Sequence, residues 1–508
     1  CDRGRLREGT MPKAALRWAR RWAPEGALAV LAGVVFLGCL GAVDLWGKRE
    51  QRAAVEAYDT IRHGHWLVAE IQGRPRLEKP PLPRWTIALL MTLTGRSDEW
   101  IVRLPSALAA LGMVGLVYAL GRRLAGRSVG LAAGLFLTSM GSFILELRQA
   151  GNDGPLAFFT TLALYAAWRR LHGDGAEGQG EPVAPADRLG AKGWATLMYV
   201  AMGLGFLTKG PIAVLLVALT VVPYLAMARR LRPGLKALAD GWGLLAFLVL
   251  ALCWPVPVVL ADRNAAWVWY VEMAQKTTSV GVSRHRKREL LAAQWPGLTA
   301  PWLVIATAAV LLPLTARGRA QRPRVWFPWS WAVVNLAMFC LWRVAKPNYY
   351  IPCLPGVALL CGLEWVNLAR AARGVVPGRV SAWPRRIVQV HYVTLFVAAA
   401  VAPVAVHGIE VLRPYFGWTL GLSAVMLPAV VTSAWVWRRG AEVAALFPLV
   451  GAIAAAVVAG FGVLGPSENA VRSHRALAGT LARLLPPDAR TLMFFHEIDE
   501  GLWFYLRD

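Results

Sequence analysis

The chain has 508 residues, 56% of them hydrophobic, and a formal net charge of +25. Soluble domains sit near about 45–50% apolar, so composition by itself excludes an ordinary soluble fold. The basic excess falls in short loops between apolar runs, as the positive-inside rule requires, and this excludes nucleic acid as the partner such a charge would otherwise indicate.

Taken in chain order, residues 1–26 form a basic segment with Arg3, Arg5, Arg7, Lys13, Arg17, Arg20 and Arg21. The sequence starts with Cys1, so Met11 is a candidate start. The segment has no cleavable signal peptide pattern and reads as the cytoplasmic flank of a signal anchor. A membrane span needs roughly 20 apolar residues, and thirteen stretches qualify: 27–46, 100–121, 128–147, 153–170, 192–208, 210–228, 242–262, 300–316, 327–344, 350–368, 388–408, 415–436 and 443–465. Residues 84–95 are too short to span and are expected to lie in the interface or re-enter.

Parity checks this count. With the N-terminus inside, the inner loops hold Arg122-Arg123, Arg229-Arg230, Arg317 with Arg319, Arg385-Arg386 and Arg438-Arg439. The short outer loops are less basic. The exception is the outer loop 263–299, whose Arg284-His285-Arg286-Lys287-Arg288 run calls for an anionic partner. The other long outer loop, 47–99, carries Val55, Tyr58, Ile61 and Leu67 among charges and predicts an interfacial helix. Loop 171–191, rich in Gly, Pro and Glu, reads as flexible. The 24 Trp include interfacial anchors, and the six scattered Cys, with no CxxC, read as packing residues.

The expected architecture is an all-α polytopic membrane protein with about 13 transmembrane helices spanning residues 27–465. Residues 466–508 form an outer segment. It combines a helical stretch, Ala476 to Leu485, with two strand-like runs, Thr491–Phe495 and Leu502–Leu506, and is expected to be the start of a small α/β domain.

Several polar motifs share the outer face. Glu50 and Arg52 follow the first span; Glu78 and Lys79 come soon after. Arg148 and Asp153 flank the turn between spans three and four, Lys209 sits in Leu207-Thr208-Lys209-Gly210-Pro211, and Lys346, Tyr349 and Tyr350 lie between spans nine and ten. Cations beside carboxylates at a bilayer surface fit a site for an anionic lipid headgroup next to an acid or base. Each residue also has a plain reading: Glu50–Arg52 as a solvated helix face, Lys209 and Lys346 as snorkelling lysines, Asp153 as a helix cap. His63-Gly64-His65 has the look of a metal pair, but one such pair without further ligands is a weak signal.

These motifs resemble those of the bacterial lipid-linked-sugar glycosyltransferases, the group of the lipid A aminoarabinose transferase and the protein O-mannosyltransferases. The similar stretches are Glu50-Gln51-Arg52-Ala53, Gly64-His65-Trp66, Glu78-Lys79-Pro80-Pro81-Leu82, Arg103-Leu104-Pro105-Ser106, Asn152-Asp153-Gly154-Pro155, the Lys209 turn, Glu272 with Gln275, His285-Arg286, Pro301-Trp302 and Lys346-Pro347-Asn348-Tyr349-Tyr350. The resemblance covers roughly residues 27–370.

It implies a GT-C fold and transfer of a sugar from a polyprenyl-phosphate donor to a lipid or protein acceptor on the outer face of the inner membrane. Glu50 and Asp153 would activate the acceptor. Arg52, Lys79, Arg148, Lys209, Arg286, Lys346, Tyr349 and Tyr350 would hold substrate. Glu78 and His285 would match a metal-binding pair, so a divalent metal ion is a candidate cofactor. Two departures stand out. The family's acidic pair is Arg49-Glu50 here, and Met273 follows Glu272 where a His is usual. Three accounts of the first are open: Glu50 takes over, Asp44 reaches in, or the acceptor is a phosphate that needs no base. The rival reading is a non-catalytic carrier binder or flippase, which would also need outward cations. Transporters, however, commonly show repeated halves and broken midplane helices, and the sequence shows neither.

Overall fold

The computed structural model describes residues 13–71, 73–173, 189–278, 291–342, 346–374, 383–485 and 499–506. The chain is helical almost throughout, and the described strands are the two-residue pair β1 (Glu70–Ile71) and β2 (Arg74–Pro75), which form one antiparallel hairpin.

The first helices in chain order are α1 (Lys13–Leu37), α2 (Lys48–His63), α3 (Leu82–Thr94), α4 (Glu99–Ala125), α5 (Arg127–Ser139), α6 (Gly141–Leu147), α7 (Asp153–His172), α8 (Gly190–Lys209), α9 (Ile212–Met227), α10 (Leu231–Leu238), α11 (Gly241–Leu252), α12 (Pro255–Ala261) and α13 (Asn264–Thr278). Helices occupy at least part of each stretch expected to span, although α1 ends at Leu37, short of the expected 27–46. Among the described residues, six helices are long and apolar enough to cross a membrane, or seven if the bent pair α5–α6 is one span. The helix Leu354–Ala372 lies within the Pro347–Ala372 span, whose apolar window is wholly buried, so this helix forms the centre of the bundle. Trp383–Gly408 and Phe416–Arg438 instead leave Val390, Val393, Phe396, Leu420 and Val425 exposed. With no water-facing polar stripe, such faces are lipid-facing.

Packing follows the close-approach rule of membrane helices, in which small residues let backbones meet. α4 and α5 cross at Gly121 and Gly130, where a Cβ on Gly121 would come within 2.9 Å of the Gly130 Cα.

The outer loop 47–99 carries α2 and α3. α2 is amphipathic as expected and buries Ala54, Val55 and Ala57. α3, at 13 residues, is too short to span about 30 Å of hydrocarbon, in accord with the sequence. One expectation fails at the C-terminal end. Residues Leu502–Leu506 belong to the helix Glu500–Leu506, not to a strand. The run Leu502-Trp503-Phe504-Tyr505-Leu506 is apolar at every position, so it carries no period that separates strand from helix. What decides is docking: Phe504 is buried with Ala54 and Val55 of α2. The helix Arg475–Leu484 matches its expectation, while the strand expected over Thr491–Phe495 lies outside the described residues, as does most of loop 171–191.

Candidate functional site

A cavity of about 430 Å³ opens between α7, α8, α9 and α13 and the loop that carries Glu78 and Pro80. Its walls are mostly apolar, with Leu156, Phe206, Ile212, Trp254, Trp269 and Phe339, and its polar members are few: Glu78, Asp153, Lys209, Glu272 and Tyr349. A concave apolar site with a few convergent charges is the usual form of a ligand pocket.

Asp153 and Lys209 form the centre. Asp153 opens α7 and Lys209 closes α8. A carboxylate in a first turn and an ammonium in a last turn both complement the helix dipole. The two side chains pair directly through Asp153 Oδ1. The other carboxylate oxygen accepts from Asn348 Nδ2 at 2.6 Å. Lys209 Nζ also lies 4.4 Å from the centre of the Tyr349 ring. The turn beyond Lys209 depends on Gly210, which has φ of +76°, a conformation that costs glycine nothing and other residues about 1 kcal/mol or more.

Arg49 approaches Asp153 from the side away from Lys209, with Nη1 3.6 Å from Asp153 Oδ2. It is held off by Glu146, which accepts both guanidinium nitrogens at 2.9 and 3.1 Å. Burial by itself would lower the Arg49 pKa, but the bond to Glu146 and the charges of Glu146 and Asp153 outweigh it, and the net shift is upward. The basic residue in place of the family's acid therefore arrives with a carboxylate of its own.

The outer loop supplies the cavity's upper wall. Lys79 pairs with Glu272 of α13, which ties the loop to that helix. The Trp254 and Trp269 indoles donate to the carbonyls of Leu67 and Leu77, each at 2.7 Å. Glu78 accepts from Arg76 at 3.2 Å, and its second oxygen is buried without a partner among the described residues. Arg84 fastens the loop from below by donating to Thr60 Oγ1 and to the carbonyls of His65, Trp66 and Leu67. Burial lowers its pKa to about 10, against the pull of Glu56 and Asp59. Burial also raises the pKa of Glu56, with Arg76 opposing.

Several expected site residues have other places. Glu50 is 3% exposed. Its two oxygens accept from Arg103 Nε and Nη2, both at 2.8 Å, and from the Ala150 amide at 3.0 Å. Arg103 also donates to the carbonyls of Leu40, Val43 and Asp44, so the pair fastens the irregular segment that follows the first helix and does not line the cavity. Arg148 does similar work, donating to the Val35 and Gly38 carbonyls with the Phe461 ring 4.2 Å away. Arg52 is bound to Glu500 at 2.6 and 3.0 Å. Asp44 pairs with Arg475 at 3.2 Å. Tyr350 is fully buried against Phe339, whereas Tyr349 lines the cavity. Lys346 is exposed at the start of the turn Pro347–Cys353. His285 and Arg286 lie outside the described residues.

Sequence reasoning gave Asn348 and Glu272 no role, although both lie inside the motifs, and it missed Glu146 altogether. Glu146 was detectable only as a lone carboxylate near the outer end of an apolar span. The pair His63 and His65 gains a third member that the sequence reading passed over: Asp59, whose two oxygens each lie 2.9 Å from one ring's Nδ1.

The arrangement as a whole is that of a polytopic membrane protein with a cavity lined mainly by apolar residues and a few charged ones. Its fold is the GT-C fold of ArnT from Cupriavidus metallidurans. The crystal structure of that protein bound to undecaprenyl phosphate superposes with a TM-score of 0.78 at 22% identity, over 96% of this chain and 85% of that one. Its apo structure gives 0.76 at 23% identity, over 97% and 85%. The profile of the dolichyl-phosphate-mannose-protein mannosyltransferase family matches residues 78–180, the stretch from Glu78 through Asp153. An undecaprenyl phosphate-alpha-4-amino-4-deoxy-L-arabinose arabinosyl transferase of Pseudomonas paraeruginosa is 31% identical over 358 residues, 68% of this chain and 60% of that protein. A second such transferase, from Pseudomonas fluorescens, is 29% identical over 426 residues, 80% of this chain and 66% of that protein. The chain thus spans about three-fifths to two-thirds of the length of these relatives. It belongs to the family of the lipid A aminoarabinose transferases and the protein mannosyltransferases.

Proposed function

We propose that this protein is a membrane glycosyltransferase that moves a sugar from a polyprenyl-phosphate donor, of the undecaprenyl type, to a lipid or protein acceptor at the outer face of the inner membrane. The observation that carries this reading is the Asp153 carboxylate, held by Lys209 and Asn348 at the rim of an apolar cavity. A polyprenyl carrier needs the apolar groove, its phosphate needs cations, and an acceptor hydroxyl needs a base.

The donor phosphate sits near Lys209 and Lys79, with Tyr349 beside the former. The acceptor hydroxyl oxygen attacks the anomeric carbon and its proton passes to Asp153. The bond from that carbon to the phosphate oxygen breaks, and its electron pair leaves with polyprenyl phosphate, whose added charge the lysines stabilise. Arg286, outside the described residues, is a further candidate for the phosphate. Glu78 and His285 are the candidate pair for a divalent ion, and the partnerless Glu78 oxygen supports Glu78 as one ligand.

The topology that goes with this reading has thirteen spans, a cytoplasmic N-terminus and an outer C-terminal segment. It is supported by helix in part or all of each stretch and by the basic residues in the loops expected to be inner.

The test is transfer of labelled sugar from undecaprenyl-phosphate donors by the protein in lipid nanodiscs. Asp153→Asn should lower kcat by about 100-fold or more, as loss of a general base does, with donor binding retained. Lys209→Ala should weaken donor binding by about tenfold or more, the cost of a charge-assisted hydrogen bond. Binding of donors without turnover by the wild type, across sugars and acceptors, would point instead to a carrier binder or flippase.

A further inference from the structure

We propose that Asp59, His63 and His65 form a divalent-metal site of the zinc class on the outer loop, separate from the sugar-transfer cavity. Asp59 and His63 stand at i and i+4 on α2 and so share one face. Gly64, with φ of +73°, caps that helix and turns the chain so that the next residue, His65, falls back on the same side. The three ligand atoms lie within 4.8 Å of one another. Asp59 lies 2.9 Å from each Nδ1. Ligands of a tetrahedral ion with bonds of about 2.0–2.1 Å are roughly 3.3 Å apart, so a small outward shift of the rings admits the ion.

The donor set is built rather than incidental. Asp59 is 4% exposed and its position is fixed by the Glu70 amide, which donates to Oδ2 at 2.9 Å. His63 and His65 are partly exposed, with side-chain exposures of 51% and 32%, which leaves an entry path and room for water as the fourth ligand. The ion takes the place of the proton that each neutral imidazole shares with Asp59 through Nδ1. That proton moves to Nε2 of the same ring, so neutral histidines bind without net proton release. Arg84 is the charge opposing the ion, and its guanidinium is already committed to Thr60 Oγ1 and to the carbonyls of residues 65–67.

The consequence concerns the loop. Residues 65–67 are bonded to Arg84, Trp85 and Trp254, and Trp254 lines the cavity. An ion joining His65 to α2 stiffens the segment that leads to the cavity wall.

The experiment uses the full chain in nanodiscs, stripped with chelator and titrated with Co²⁺, whose visible absorption reports tetrahedral nitrogen and oxygen ligands. The wild type should take up one more equivalent than His63→Ala/His65→Ala and show the tetrahedral band that the double variant lacks. Glu78→Gln should retain that band. Zn²⁺ should raise the unfolding temperature of the wild type by more than that of the double variant. Equal stoichiometry and spectra in wild type and double variant, or no binding by either, would overturn the proposal. Loss of the band in Glu78→Gln alone would likewise overturn it by assigning the ion to the cavity. Asp59→Asn adds a second check, since it keeps the hydrogen bond to the Glu70 amide but should lose the ion.

Discussion

Replacing Glu146 by Gln should slow transfer through Arg49, not through any contact of Glu146 with substrate. Arg49 Nη1 is shared, 2.9 Å from Glu146 and 3.6 Å from Asp153. At an effective dielectric of about 20, Arg49 attracts Asp153 by roughly 4.6 kcal/mol at the present 3.6 Å. Both carboxylates touch one nitrogen, so their oxygens are within about 6.5 Å, and Glu146 offsets at least roughly 2.6 kcal/mol of that attraction. Neutralising Glu146 removes the offset and frees Arg49 to close to about 2.8 Å, which adds roughly 1.3 kcal/mol. Arg49 is half exposed, so solvent screening cuts the sum by about half, to roughly 2 kcal/mol. An Asp153 tied by that much more gives up its role as base in part, and kcat should fall between about fivefold and thirtyfold, with KM for donor little changed.

The assay is steady-state transfer in nanodiscs for wild type, Glu146→Gln, Arg49→Ala and the double variant. The double variant should recover most of the loss, because no guanidinium remains to neutralise Asp153. If Glu146→Gln is slow and Arg49→Ala does not restore it, Glu146 acts directly and the reasoning fails. If Glu146→Gln is as fast as wild type, Asp153 is not the base that this geometry serves.

Two further outcomes are expected. Glu50→Gln should cost about 3 kcal/mol or more of stability, since it leaves the buried Arg103 guanidinium without its counter-charge; thermal unfolding of the purified variant checks this, and a variant of normal stability but dead in transfer would return Glu50 to the chemistry. Glu56 is raised by burial, so its charged form is penalised in the fold, and its contribution to stability is present below its unfolded pKa and lost as pH rises through the folded value. Glu56→Gln should therefore unfold at a higher temperature than wild type at neutral pH, with the gap closing as the pH falls through the carboxylate range.

Much of the fold was legible in the sequence because a membrane span is a composition signal over a long window. Each apolar stretch holds helix over at least part of its length, and α3 was short where the sequence said it would be. The candidate site was legible in part. Asp153 and Lys209 were identifiable because both sit at helix ends next to Gly and Pro, where chain reversal at the bilayer surface brings helix termini together. Glu50, Arg52 and Arg148 were equally charged and equally close to the outer face, yet serve as internal fasteners. Sidedness places a charge on one surface of the membrane, but does not say whether it points at a cavity or at a neighbouring backbone carbonyl.

The sequence by itself determined that the protein crosses the membrane many times, that its charged motifs gather on one side, and which family it resembles. These follow from local quantities: hydrophobicity over a span, the sign of charge in loops, and residue order within short motifs. Only the tertiary structure decided the partners. Glu146 lies 97 positions from Arg49, Asn348 lies 195 from Asp153, and Glu500 lies 448 from Arg52. A carboxylate's role depends on which donor reaches it first and on whether water is excluded there, and both are set by helix packing over distances that no local pattern records.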